Sequence, residues 1–210
     1  MSNILERMRE DIYNGNVDEV AAATQKALDE GMSAQEILNN GLVGGMDVVG
    51  RDFKAGILFI PEVLLCAKTM HAGLEVLRPL LAESDVLSLG KIVIGTMAGD
   101  LHDIGKNLVG MMLQGAGFEI VDLGTDVSPE KFVEAVREGA NLVGMSALLT
   151  TTMPGMKTTI EALTEAGLRD HVKVIIGGAP VTAGFAKDIG ADAYAADAAS
   201  AVDVARGLVA

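Results

Sequence analysis

The chain is 210 residues long and half apolar, with 29 acidic residues against 16 basic ones and a formal net charge of −13. That apolar fraction excludes a disordered polymer, and the length admits one large domain or two small ones. The acid excess is even, 7 basic against 14 acidic residues before position 91 and 9 against 15 from there on, so no basic stripe exists to hold a phosphate backbone.

With no Trp, two Tyr and five Phe there is little to stack on bases, and no nucleic-acid partner is expected. The longest apolar candidate, Ile57 to Ala67, is broken by Glu62 and falls short of the about 18 residues a membrane span needs, so no membrane partner is expected either. Met1 to Glu10 carries Glu6 and Glu10 and has no basic leader before an apolar run, so it does not read as a signal peptide. The single cysteine, Cys66, cannot form an intrachain disulfide. These features point to a soluble protein of a reducing cytoplasm.

The first 83 residues read as a small helical bundle. Ile4, Met8 and Ile12 recur at helical spacing after Ser2, and Gly15 follows as a stop. Asn16 with Glu19, and Ser33 with Glu36, have the spacing of capping boxes, with Gly31 between the two helices they start. A further helix opens at Pro61, where a missing amide costs nothing, and Val63, Ala67, Met70, Leu74 and Leu77 line one of its faces. Met46, Phe53, Leu58 and Phe59 read as core of this half, or as cover for a ligand if the half caps one. The periodicity lapses over residues 84–90, which read as a linker, and the second domain takes residues 91–210.

The second half alternates strands with helices. Lys91 to Met97, Glu119 to Leu123, Leu142 to Ser146, Lys173 to Ile176 and Asp192 to Ala195 are strand-like, and each is followed by a helical pattern. The alternation predicts a five-stranded parallel sheet covered on both faces, doubly wound and flavodoxin-like. In such sheets a ligand sits beyond the carboxyl ends of the strands, so the loops that follow them are where chemistry is sought.

The first of these loops reads Gly99-Asp100-Leu101-His102-Asp103-Ile104-Gly105-Lys106-Asn107. It is no Walker A loop, since five residues separate its glycines and Asn107 follows the lysine, and it has no G-x-G-x-x-G fingerprint. What remains is a histidine with an aspartate two positions earlier. In extended backbone these point to the same side, so Asp100 can accept a hydrogen bond from one ring nitrogen of His102 and leave the other facing outward, ready for a metal. Gly105 lets the backbone approach a bulky object. Asp103, pointing away from Asp100, reads as the cap of the helix that starts near Ile104. A single His cannot hold a bare ion, and His71 and His171 lie elsewhere, so the metal must bring its own ligands. A macrocycle with an open axial position fits.

Asp100-x-His102-x-x-Gly105, then Ser146-x-Leu148, then Gly177-Gly178, on successive strand ends, resembles the cobalamin-binding signature of methionine synthase and its relatives. Behind a helical half, in about 210 residues, the arrangement resembles the corrinoid proteins of anaerobic methyltransferase systems, and the likeness covers nearly the whole chain. The resemblance implies base-off cobalamin, with His102 as the lower cobalt ligand in place of the cofactor's own base and the nucleotide tail buried between strands. It implies Asp100 as the partner of His102 and Thr152 as the hydroxyl completing the relay, where methionine synthase has Ser. It gives Asp103, Ile104, Gly105, Ser146, Leu148, Thr150, Gly177 and Gly178 as further cofactor-binding residues, the glycines making room for the tail.

The implied function is that of a methyl carrier: cobalt in the +1 state accepts a methyl group from a substrate:corrinoid methyltransferase and delivers it, from methyl-Co(III), to a second methyltransferase that uses tetrahydrofolate or coenzyme M. A reductive activation protein is the third implied partner, and the chain is not catalytic alone. A cobalamin-dependent mutase subunit would lack the helical half, and a corrinoid-sensing regulator would add a DNA-binding helix-turn-helix and a basic surface.

Overall fold

Ile4, Met8 and Ile12 share one stripe of helix α1 (Ser2–Asn14), which stops where Gly15 takes a φ of +76°. The computed structural model describes residues 2–83 and 88–210. Helix α2 (Val17–Asp29) follows, but Asn16 does not cap it: its side-chain amide donates instead to Asp11 Oδ1 at 2.8 Å. Ser33 does cap, accepting from the Glu36 amide at 3.1 Å, and opens α3 (Ala34–Glu36), which runs through a π-helical stretch (Ile37–Val43) into α4 (Gly44–Lys54). The long α5 (Ile60–Glu83) starts one residue before Pro61.

Met8, Ile12, Val20, Ile37, Val63 and Met70 are buried together with Ala67 and Leu77, whereas Leu74 is half-buried. Met46 and Leu58 are buried, Phe53 is half-buried, and Phe59 is exposed beside Ile57, Ile60 and Leu64. Burial of Cys66 pushes its thiol pKa up, and the thiol donates to the Tyr13 carbonyl, so this cysteine is a core group. Among the described residues no helix is long and apolar enough to cross a membrane. Of the linker expected at 84–90, residues 84–87 lie outside the described residues.

Ser88–Gln114 and Phe118–Ala210 form a second compact unit. Its strands are β1 (Lys91–Thr96), β2 (Glu119–Asp122), β3 (Leu142–Ser146), β4 (Lys173–Gly177) and β5 (Ala193–Ala195), all parallel, in the order β2-β1-β3-β4-β5. The helices between and after them are α6 (Ile104–Gly115), α7 (Pro129–Arg137), α8 (Pro154–Glu165), α9 (Ala183–Ile189) and α10 (Ala198–Val209).

Side chains alternate across the sheet and both faces are covered. Val93, Met97, Met145 and Ile176 pack with Phe132 of α7 and Met156 of α8 on one face. Gly95 makes room there, since a Cβ would lie 2.8 Å from the Phe132 ring. On the opposite face Gly110 lets α6 approach Ile94, which a Cβ would meet at 2.8 Å. This is the flavodoxin-like doubly wound order, whose direction of progression reverses between β1 and β3. Register places Thr96, Ser146, Gly177 and Ala195 in one row at the carboxyl ends, so the following loops emerge along one edge.

Candidate functional site

The loop after β1 is shaped before it carries chemistry. Gly99 takes a φ of +81°, and the Asp100 amide closes a turn onto the Met97 carbonyl at 3.0 Å. Asp100 then folds its carboxylate over the next two residues. Its Oδ1 accepts from the His102 backbone amide at 3.1 Å and lies 2.6 Å from His102 Nδ1. The Thr96 hydroxyl, buried at the end of β1, donates to the His102 carbonyl at 2.9 Å. The histidine is therefore held through its amide, its carbonyl and one ring nitrogen.

The second carboxylate oxygen is tied to the neighbouring strand's loop. Asp100 Oδ2 accepts from the amides of Leu148 at 2.8 Å and Leu149 at 3.2 Å, and the Thr152 hydroxyl lies 3.0 Å away. That hydroxyl is also 2.9 Å from the Leu149 carbonyl, and its one proton serves one acceptor at a time. The Asp100 side chain is wholly buried. Burial alone would raise its pKa, but the hydrogen bonds from the His102 ring and from the Leu148, His102 and Leu149 amides outweigh it and hold the carboxyl well below the usual carboxylate range. An anion at this position takes the proton on Nδ1. In the neutral ring Nε2 then carries the lone pair, and the His102 side chain is 53% exposed.

The surroundings of that nitrogen are apolar. Leu101 is 74% exposed and Ile104 77%, and Leu148 and Leu149 are also exposed, a concentration of bare apolar side chains uncommon around one loop pair. At Gly105, in the first turn of α6, a Cβ would meet nothing within 4 Å, so the chain's own packing does not demand glycine there. The space is open. Among the described residues no group of three or more His, Cys, Asp or Glu could hold a metal ion, so this donor set suits a metal that arrives already ringed by other ligands. The residues present thus fit a flat, largely apolar macrocycle with one axial position to fill.

Other expected site residues fall along the same edge with different local roles. Gly178 has a φ of +127°, and a Cβ on it would collide with the Ala147 carbonyl, while a Cβ at Gly177 would come within 2.9 Å of the Ala195 carbonyl. Both glycines are thus demanded by the approach of the chain's own backbone, in addition to any room they leave for a ligand. Ser146 ends β3 half-buried, its carbonyl accepting from the Met97 amide. Leu148 acts on Asp100 through its backbone amide, and Thr150 is exposed. Asp103 Oδ2 accepts from the Asn107 side chain at 3.1 Å, one turn along α6. Asp197, in the last loop, caps α10 in a capping box with Ser200.

Three contributors carry no sequence signal. Thr96 and Leu149 act through a single hydroxyl and a single amide, and no residue pattern distinguishes them. Lys106 is buried and reaches the Asp122 carboxylate at 2.6 and 2.7 Å, fastening the first turn of α6 to the end of β2.

The fold and the loop define a cofactor-binding α/β module, with a carboxylate-oriented imidazole at the switch point of the sheet, preceded by a helical domain. Family models agree: one described as a B12 binding domain matches residues 90–203, and a second of the same description matches residues 4–78. A corrinoid protein of Desulfitobacterium hafniense is 44% identical over 99% of this chain and 98% of its own length. Dimethylamine corrinoid protein 1 of Methanosarcina acetivorans is 50% identical over 92% of this chain and 91% of its own. Among solved structures, a chain of the methanol:cobalamin methyltransferase complex of Methanosarcina barkeri superposes with a TM-score of 0.88 at 30% identity, covering 99% of this chain and 80% of that one. The chain belongs to the corrinoid proteins with B12 binding domains.

Proposed function

We propose that this chain is a corrinoid methyl carrier that serves two methyltransferases in turn. The observation that carries the proposal is the exposed His102 ring, held through Nδ1 by a buried Asp100 carboxylate on a chain with B12 binding domains. Bound cobalamin supplies a cobalt that takes up and gives back a methyl group.

The chain's own residues prepare for that group. His102 would hold the cobalt through Nε2, the ring nitrogen left with the lone pair. Asp100 keeps the ring proton at Nδ1 and the lone pair at Nε2. Leu148, Leu149 and Thr152 keep Asp100 anionic and still, the carboxylate support behind a ligating imidazole that commonly sets metal affinity. The exposed Leu101, Ile104, Leu148 and Leu149 would pack against the group and keep water from its contact with His102. Asp103, Gly105, Ser146, Thr150, Gly177 and Gly178 complete the set that receives the macrocycle and its tail.

The proposed partners are a methyltransferase that demethylates a small methylated compound, a second methyltransferase using tetrahydrofolate or coenzyme M, and a reductive activation protein, all in the cytoplasm. Relatives named as dimethylamine corrinoid proteins and the likeness to a chain of a methanol:cobalamin methyltransferase complex support this assignment.

The test is paramagnetic resonance of the Co(II) form reconstituted with cobalamin in protein carrying 15N-labelled histidine. A hyperfine pattern that changes from that of 14N to that of 15N, and is absent in His102→Ala, is expected. A chain that refuses cobalamin, or a His102→Ala protein with the same labelled pattern, overturns the proposal. The carrier role predicts that the reduced holoprotein changes its visible spectrum when given dimethylamine or methanol with the matching methyltransferase.

A further inference from the structure

The loop that carries Asp100 and His102 does not hold itself. The amide of Gly99 is bonded by Asp126 Oδ1, at 2.7 Å, from the loop that follows β2. The Asp126 amide in turn donates to the Asp100 carbonyl at 3.1 Å. One residue thus grips Gly99 and Asp100, the second of which is the partner of His102, from a separate strand's loop.

Its backbone is unusual. Asp126 has a φ of +55°, the only non-glycine residue with a positive φ among the described residues. The left-handed conformation is disfavoured for an L-residue, and Asp is among the few that adopt it. Flanking bonds impose it: the Thr96 amide donates to the Gly124 carbonyl at 3.0 Å and the Val127 amide to the Thr96 carbonyl at 2.9 Å, so the segment runs alongside the end of β1. With both ends of the segment bound to Thr96, the residue between them turns its carboxylate and its amide toward residues 99 and 100. Strain that the surroundings over-determine is a pointer to function.

We infer that Asp126 is a positioning residue for the corrinoid-facing imidazole, a further part of the site proposed above. By bracketing Gly99 and Asp100 it fixes the turn from which the Asp100 carboxylate reaches Leu148, Leu149 and Thr152 on one side and His102 on the other. Without the Asp126 carboxylate the Gly99 amide loses its partner, and the turn keeps only the backbone bonds of Asp100 to Met97 and of residue 126 to the Asp100 carbonyl, so the base from which the Asp100 carboxylate reaches the ring is less firmly set. The inference rests on His102 being the axial ligand, and its test separates the two.

The test compares the full-length wild type with D126N, D126G and H102A. In apoprotein, hydrogen exchange of the Gly99 amide is followed by NMR. In cobalamin-loaded protein, the dissociation constant and the 15N-histidine hyperfine pattern of Co(II) are measured. Asn keeps both an acceptor oxygen and a tolerance for positive φ, so D126N is expected within about 2-fold of wild type. Gly relieves the strain but removes the acceptor, so D126G is expected to fold, to lose protection at Gly99, to bind cobalamin about 10-fold more weakly, the lower end of the cost of removing such supporting partners, and to show a weakened or heterogeneous nitrogen pattern.

A D126G protein with a freely exchanging Gly99 amide but wild-type affinity and hyperfine pattern overturns the inference, because the bond is then a plain loop staple. D126N matching D126G overturns it too, since charge and not the bracket would then matter. Should D126G fail to fold, D126S, whose hydroxyl falls short of Gly99, is read against D126N in the same way. If H102A leaves the pattern unchanged, the ligand assignment itself has failed. If H102A abolishes it and D126G does not alter it, only the role of Asp126 has.

Discussion

Replacing Asp100 by Asn changes one atom and, on this geometry, reverses the ring it holds. In the wild type Oδ1 faces two donors, the amide and ring Nδ1 of His102, and Oδ2 faces three, the Leu148 and Leu149 amides and the Thr152 hydroxyl. A carboxamide has one acceptor oxygen, and it goes to the side with three donors. The NH2 group then faces His102, where Nδ1 must accept, and the ring proton moves to Nε2. A protonated Nε2 cannot ligate.

Restoring its lone pair requires Nδ1–H to point at an N–H of the amide, which loses one hydrogen bond and opposes two donors, at about 2–4 kcal/mol. Near the middle of that range the axial bond weakens roughly 100-fold. The assay is the fraction of Co(II) protein showing the 15N-histidine pattern, with cobalamin affinity measured alongside. The His102 amide, left facing a donor, costs a further 1–3 kcal/mol or so of stability, readable by urea unfolding. An Asp100→Asn protein with the full nitrogen pattern and affinity within about 3-fold of wild type refutes the tautomer argument.

The same carboxylate makes a prediction about acid. Its pKa lies lower in the folded than in the unfolded chain, so below about pH 4 the unfolded state takes up a proton that the folded state refuses. The stability difference between wild type and Asp100→Asn should therefore be full at pH 6 and shrink as pH falls below about 4; urea midpoints that keep a constant gap down to pH 2.5 would contradict this. Gly178→Ala puts a Cβ into the Ala147 carbonyl at a φ of +127°, and should cost about 3 kcal/mol or more in urea unfolding, whereas a loss under about 1 kcal/mol would mean that the loops move apart freely. Gly105→Ala should act in opposite directions on two readouts: a helical glycine facing open space gains up to about 1 kcal/mol of stability as alanine, while cobalamin affinity falls if the macrocycle uses that space. Unchanged affinity would show that the space is not used.

The two halves were legible because each has one dominant period. Helical stripes such as Ile4, Met8 and Ile12 mark the first, and short apolar runs bounded by glycine mark the second, where the expected strands coincide with the observed ones to within a residue at each end. Capping is less legible. Asn16 has the spacing of a capping box, yet its amide is drawn to Asp11, a tertiary partner that no local pattern announces. At the site, the juxtaposition of Asp100 with His102 follows from their separation of two, because an aspartate bonding its own backbone two residues on is local chemistry. The grip of Asp126 on Gly99 crosses 27 positions and depends on which strands are neighbours, so nothing short of the sheet order could reveal it. The glycines at 177 and 178 were legible as positions of close approach, but the sequence could not say that part of what approaches is the protein's own backbone.

The loops after β1 and β3 meet through Asp100. An aspartate and two leucine amides 48 and 49 positions apart are brought to bonding distance by the pairing of β1 with β3. Bonds that tie two loops to each other place the entropy of ordering them in folding and not in binding, which leaves more of any contact energy as affinity.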